Sequence, residues 1–302
     1  MSKIVLIYGP TASGKSNFAV KLAKKIKGEI INADSMQVYK QLKILTARPD
    51  KKEEKNIKHH LYGIIDVNRN FSTGQWLKLA NKKINEIKKR KKIPIIVGGT
   101  GLYFNSLING LVKIPNIPLR FRYKIRSIQK KLGQRKFYEK LLKIDPKVKD
   151  KINRNDTQRS MRAYEIKIYS KKSIYEWLSE TKSNFDQNDF LKIYLNFERK
   201  ELINRIQKRT NQMFKFGAIK EVKKILKLKF SSQSSVKKII GIQEINRFLE
   251  DKISLDQTKE LINIRTRQYA KRQVTWARSK MVNWREVSPS EFQSWVKEIN
   301  FN

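Results

Sequence analysis

The sequence predicts an α/β fold: a P-loop NTPase-like parallel sheet flanked by helices, with an inserted, mostly helical segment. Three observations predict it. Short β-branched runs at 4–8, 29–32 and 93–97 are each followed by a loop and a helical pattern, as buried parallel strands are. A glycine-rich loop of phosphate-cradling spacing follows the first run directly. After Gly110, composition shifts through Ile114-Pro115-Asn116-Ile117-Pro118 into a strongly basic, helix-patterned stretch, and a strand-like run at 191–197 returns the chain to the sheet. The expected boundaries are 1–113 with 190–302 for the α/β core and 114–189 for the insertion.

Each element has its own justification. Between the second and third runs, Trp76, Ala80, Ile84 and Ile87 fall on one face of a helix over 72–90 that Ser72 can cap. Pro94 stands near the start of the third strand, where a missing N–H is tolerable. Three or four helices finish the chain, the longest over 255–280, and the serine cluster at 231–235 reads as a loop. There is no internal repeat.

Composition bounds the function. A chain of 302 residues with 39% hydrophobic content can bury a core. It has no run of about 18 apolar residues, and Met1-Ser2-Lys3 leads straight into the first strand with no cleavage region, so a cytoplasmic protein without membrane contact is expected. Zero cysteine excludes disulfides, a thiolate nucleophile and cysteine-ligated metal, and two histidines leave little imidazole chemistry. The 68 Lys+Arg against 27 Asp+Glu give +41, which implies a polyanionic partner. A compositional bias toward Lys, Ile and Asn explains the same number, and only position-specific basic motifs separate the two.

The loop Gly9-Pro10-Thr11-Ala12-Ser13-Gly14-Lys15-Ser16 matches G-x-x-x-x-G-K-[ST] between a strand and a helix. Its glycines let backbone amides turn toward phosphate oxygens, the helix start adds a positive dipole end, Lys15 adds a cation, and the Ser16 hydroxyl can ligate Mg²⁺. A diphosphate or triphosphate is therefore expected. An NTPase would normally add a carboxylate after a later strand, yet the third run ends Val97-Gly98-Gly99-Thr100-Gly101 without an acid. Asp34 instead follows the second strand, beside the cradle by the crevice rule for open α/β sheets. Two readings of it are open: a general base taking a proton from an attacking amine, or a helix cap or water-mediated Mg²⁺ contact.

Taken together, GPTASGKS at 9–16, ADSMQVY at 33–39, HHL at 59–61, VGGTGLY at 97–103, NDTQRSMRAYEI at 155–166 and TRQYAKRQVTWAR at 266–278 resemble the tRNA dimethylallyltransferase family, also called tRNA isopentenyltransferases, nearly end to end. The resemblance implies an enzyme that transfers a dimethylallyl group from dimethylallyl diphosphate to N6 of the adenosine just 3′ of the anticodon, in tRNAs reading codons that begin with U. Flipping that base into the crevice costs a few kcal/mol, least in a strained loop. It further implies that the insertion grips the anticodon stem-loop, that Mg²⁺ assists, and that Lys15 and Thr100 belong to the catalytic set with Asp34. Asp34, Ser35, Met36 and Gln37 match the segment contacting the target nucleotide, Thr100 and Arg122 match single tRNA contacts, and Gln158, Arg159, Ser160, Met161 and Arg162 match a basic patch on the RNA. A monomer is expected, and the alternative function is a P-loop kinase of a small molecule or nucleotide.

This sequence departs from the family pattern at Arg48, where Lys is common and where Arg can still bind phosphate, and at Gly241-Ile242-Gln243-Glu244, which lacks the usual aromatic and cation. On the long helix, Arg265, Arg267, Lys271, Arg272 and Arg278 alternate with Tyr269 and Trp276, read either as an RNA-facing surface or as a core helix whose cations snorkel. Arg205, Lys208 and Arg209 either close over the diphosphate or are solvated. His59 and His60 are expected to pack or to position the helical insertion.

Overall fold

A computed structural model of the chain describes residues 3–228 and 235–298. In order the elements are β1 Ile4–Tyr8, α1 Lys15–Lys25, β2 Gly28–Asn32, α2 Lys51–Glu54, β3 His59–His60, α3 Thr73–Lys89, β4 Ile93–Gly98, α4 Gly101–Asn109, α5 Leu119–Ile144, α6 Thr157–Ser170, α7 Ile174–Ser179, β5 Phe190–Leu195, α8 Arg199–Lys215, α9 Ala218–Leu226, α10 Ile242–Leu249, α11 Leu255–Lys280, β6 Arg285–Val287 and α12 Phe292–Glu298. They form two units, Met1–Ile108 with Phe185–Asn302, and Asn109–Asn184. The insertion thus begins and ends a few residues earlier than 114–189, because the break falls at the end of α4 and not at the proline-rich segment that follows it.

The first unit is built on a six-stranded, all-parallel sheet of order β3-β2-β4-β1-β5-β6. β1 lies inside it, with Val5 opposite Ile95 on one side and Leu191 on the other. A strand buried on both faces must be apolar throughout, as Ile4–Tyr8 is. One face packs against Trp76, Ala80, Ile84 and Ile87 of α3, the stripe its periodicity predicts, and the other against Phe18, Ala19 and Leu22 of α1. Ser72 caps α3 through a reciprocal box with Gln75. A third cluster joins Val38, Tyr39 and Leu42, after β2, to Met213, Val222, Ile245 and Ile262 on the late helices.

Two edge strands, β3 and β6, were not expected, being only two and three residues long with little apolar pattern. β3 favours the first of the two expectations for the histidines, packing. His59 and His60 pair with Ile30 and Ile31 in the sheet, and His60 Nε2 lies 2.7 Å from the buried Glu29 carboxylate, so their task is within the first unit. Residues 231–234 of the expected serine loop lie outside the described residues. The second unit packs Phe137, Leu141, Val148, Ala163 and Tyr164 into its own core, and Gly133, at φ 73°, kinks α5. Among the described residues no helix is long and apolar enough to cross a membrane.

Candidate active site

Residues 9–16 join β1 to α1 through two left-handed positions, Ala12 at φ 64° and Gly14 at φ 75°. Gly14 caps α1, so the amides of the first helical turn lack helical partners and, with the helix dipole, form an anion site. Lys15 Nζ bends back to donate to Pro10 O at 3.1 Å. Burial lowers its ammonium to about 8, with the Asp34 charge opposing the fall and Arg209 adding to it. The Ser13 hydroxyl is buried with no partner among the described residues, a polar atom that an oxyanion would satisfy.

Two arginines four apart on α8 close on this loop. Arg205 Nε donates to Ala12 O at 2.9 Å, and Arg209 Nη1 donates to Thr11 Oγ1 at 2.8 Å. Lys208, next to Arg209 in the chain, is exposed. Arg205 and Arg209 are thus anchored on the phosphate loop itself, and Lys208 is solvated surface.

Asp34 is fixed by a local lattice. Asn32 Oδ1 accepts the Asp34 N–H at 2.8 Å, and Asn32 Nδ2 donates to Asp34 O and Leu61 O at 3.0 and 3.1 Å. Asp34 Oδ1 accepts the Met36 N–H at 2.9 Å, and among the described residues Oδ2 has no hydrogen-bond partner. One oxygen holds the turn and the other is available to take a proton. Beside it, a Cβ on Gly98 would stand 2.1 Å from Ala33 O, so glycine is what lets β4 end against β2. That approach sets Thr100 on Ser35: Ser35 N–H donates to Thr100 Oγ1 at 2.9 Å, and Thr100 Oγ1 donates to Ser35 Oγ at 3.2 Å.

Asp34, Thr11, Arg209 and Arg272 share a cavity of about 280 Å³ with the apolar side chains of Met36, Leu45, Ile206, Met213, Ile239 and Ile262. Tyr269 is in its wall, and burial followed by the Asp34 charge pushes its phenol upward, so it stays protonated. On α8 the wall carries Ile206, Arg209, Thr210 and Met213, so the guanidinium held at the phosphate loop stands beside apolar side chains of the same helix. Such a cavity suits a ligand with a diphosphate head and a short branched hydrocarbon tail, next to a carboxylate that can accept a proton.

The IPP transferase family model matches residues 37–280. The chain belongs to that family. This IPP transferase family member is 64% identical over 298 residues to a tRNA dimethylallyltransferase of Pelagibacter ubique (strain HTCC1062), covering 99% of this chain and 95% of the relative. A tRNA dimethylallyltransferase of Rickettsia massiliae (strain Mtu5) is 44% identical over 280 residues, covering 92% of this chain and 77% of its own. Among solved structures, the tRNA isopentenylpyrophosphate transferase of Bacillus halodurans matches with a TM-score of 0.70 at 33% identity, covering 99% of this chain and 94% of its own. A eukaryotic dimethylallyltransferase, described as acting on tRNA, matches with a TM-score of 0.84 at 31% identity, covering 98% of this chain and 76% of its own.

In this family member the expected site residues divide. Gly9 to Ser16, Asp34, Ser35, Met36 and Thr100 converge in the first unit, whereas Gln37 is used internally, its Nε2 donating to Thr46 O and Ala47 O at 2.9 and 3.0 Å. Arg48 is tied into the scaffold: its Nη1 donates to Tyr39 O at 3.0 Å, packed where a Cβ on Gly63 would be 2.0 Å away. Glu244 caps α10 at Gly241 and meets Arg265 at 2.5 Å, so that departing stretch is structural too. Arg267 likewise pairs with Glu260, and Trp276 packs on Tyr8 at 5.8 Å, so the long helix is in part a core helix whose cations are paired.

In the second unit, Gln158 and Arg159 are exposed at the start of α6, with Arg159 Nε 3.4 Å from Asp156. Arg162 meets Glu165 at 3.4 Å, and Arg122 Nε lies 4.0 Å from the same carboxylate, beyond hydrogen-bond reach. Ser160 corrects the expected patch: it is fully buried, its hydroxyl donating to Asp156 O at 2.7 Å, and Met161 packs against that unit's core. Sequence reasoning missed Gln273, whose side chain reaches two site loops at once. Its signal was a polar residue on the buried stripe of α11, between Ala270 and Ala277.

Proposed function

We propose that the protein transfers a dimethylallyl group from dimethylallyl diphosphate to the exocyclic N6 of the adenosine 3′ of the anticodon in tRNAs reading codons that begin with U, releasing diphosphate. It acts as a cytoplasmic monomer. The observation that carries this reading is the Asp34 carboxylate, with one oxygen unpaired among the described residues, in the same cavity as Thr11, Arg209 and a wall of aliphatic side chains. The cradle holds the diphosphate through the amides at the start of α1, Lys15 and Arg209, and the apolar wall takes the five-carbon tail. The adenine N6 attacks the allylic carbon, the carbon–oxygen bond breaks with its electron pair leaving on diphosphate, and the N6 proton passes to Asp34 Oδ2. Cations and amides aimed at the departing oxygens are worth most here, where charge develops.

The donor set also fits Mg²⁺. Among the described residues no cluster of three or more acids or histidines could hold a metal unaided, and Mg²⁺ keeps waters and substrate phosphates as ligands. Ser16 would hold the ion with the diphosphate, and its charge would ease departure of the leaving group. Gln158, Arg159, Arg162 and Arg122 of the inserted unit would meet the anticodon stem-loop.

Incubation with labelled dimethylallyl diphosphate, Mg²⁺ and unmodified tRNA tests the reading. Label in the RNA with stoichiometric diphosphate release is expected; brisk ATP hydrolysis with no label transfer would return the kinase alternative.

A further inference from the structure

We infer that Gln273 is a positioning residue for prenyl transfer, locking the diphosphate cradle to the turn that carries Thr100 and so fixing Asp34 against the reacting carbon. The inference rests on the transfer reading above.

Gln273 lies on α11 and is 5% exposed. Its Oε1 accepts the Thr11 N–H at 2.8 Å, its Nε2 donates to Gly99 O at 2.8 Å, and its backbone carbonyl accepts the Tyr8 hydroxyl at 3.0 Å. One planar group therefore ties the crest of the cradle to the end of β4. The orientation of the amide is dictated by its partners, since Thr11 N–H can only donate and Gly99 C=O can only accept. No carboxylate or hydrocarbon of that length meets both demands. Gly99 is shaped to the same contact: a Cβ there would stand 2.2 Å from Gln273 Nε2.

The chain of contacts continues past Gly99. Thr100 holds both the amide and the hydroxyl of Ser35, and Ser35 adjoins Asp34, whose Oδ1 is already taken by Met36 N–H. Thr11, Gln273, Gly99, Thr100 and Ser35 thus form an unbroken path from the leaving-group cradle to the proton acceptor. The reaction requires those two ends at a set separation, because the nitrogen that gives up its proton attacks the carbon whose diphosphate occupies the cradle. A displacement of about 1 Å at such a site can cost a hundredfold in rate. Gln273 touches neither reacting atom, so it acts through the loops it joins.

The test uses Gln273→Met, which keeps length and burial but loses both hydrogen bonds, and Gln273→Glu, which sets an acceptor against Gly99 O. Both will lower Tm, so Tm alone decides nothing. Assayed well below Tm with saturating substrates, each is expected to lose about tenfold to a hundredfold in kcat, with KM for tRNA changed by less than about twofold. Thr100→Val should be non-additive with Gln273→Met, the double variant being about as slow as the slower single one. Should Gln273→Met fail to fold, Gly99→Ala breaks the bridge from its other side and is expected to show the same kcat loss. Folded variants with kcat within about threefold of the parent, or strict additivity with Thr100→Val, would overturn the positioning role. Wild-type protein that transfers no label would instead defeat the transfer reading itself, so the two failures are told apart.

Discussion

Arg209 Nη1 donates to Thr11 Oγ1 at 2.8 Å, so a cation from a helix nearly two hundred residues later is held at the phosphate loop by the protein itself. Burial lowers the pKa of that guanidinium, with Asp34 opposing, so it is a charge in need of an anion. Diphosphate supplies one. Arg209→Ala is expected to weaken inorganic pyrophosphate binding by about tenfold to a hundredfold, the value of a charge-assisted hydrogen bond. Arg209→Lys should restore only part, because an ammonium lacks the fork. Isothermal titration reads both, and unchanged affinity would remove Arg209 from the cradle.

Asp34→Asn keeps the oxygen that accepts Met36 N–H and removes the basic one. Turnover is expected to drop by about 10² to 10⁴, while the tRNA Kd moves by less than about threefold. Single-turnover rates together with filter binding check this; equal collapse of both would make Asp34 a scaffold residue.

On the inserted unit, Arg159 is 72% exposed and only loosely held by Asp156, so an RNA phosphate can replace that partner. The double change Arg159→Ala with Arg162→Ala should weaken tRNA binding and reduce the slope of log Kd against log salt by roughly 1.4 to 1.8 for two lost phosphate contacts. A slope that stays as steep would place the tRNA on another surface.

Glu29 gives a prediction about stability. Burial alone would raise its carboxyl, but hydrogen bonds from Arg90, His60 and Lys92, with the Arg90 charge, hold it at about 2. A carboxyl so depressed contributes stability that is complete above its unfolded value of 4.5 and is lost as pH falls through 2, worth about 3 kcal/mol at neutral pH. Glu29→Gln should therefore lower the denaturation free energy at pH 7 by about 2–3 kcal/mol and flatten the acid limb between pH 4.5 and 2. Urea titrations across that range decide it.

The cradle and Asp34 were legible in the sequence because backbone chemistry dictates them: glycines where φ is positive, Lys and Ser at the helix start, an acid two residues past an apolar strand. The α3 stripe was legible from its period. His59–His60 was not, because a two-residue strand has no period and its place depends on the Glu29 carboxylate far away in sequence. The internal contact of Arg48 was not legible, because a guanidinium that donates to Tyr39 O and one that awaits phosphate are the same letter. Gln273 was hidden for a related reason: its partners lie 262 and 174 residues away, and only folding brings them together.

The position of β1 has a consequence for biosynthesis. β1, made before both of its neighbours, is an inner strand, flanked by β4 on one side and by β5, whose Phe190 faces Ile4, on the other. During translation one flank is covered early, but the second stays uncovered until the whole of residues 109–184 has been made. A ribosome stalled within the insertion would thus display a bare, hydrophobic strand edge, the kind of surface on which nascent chains aggregate and chaperones act.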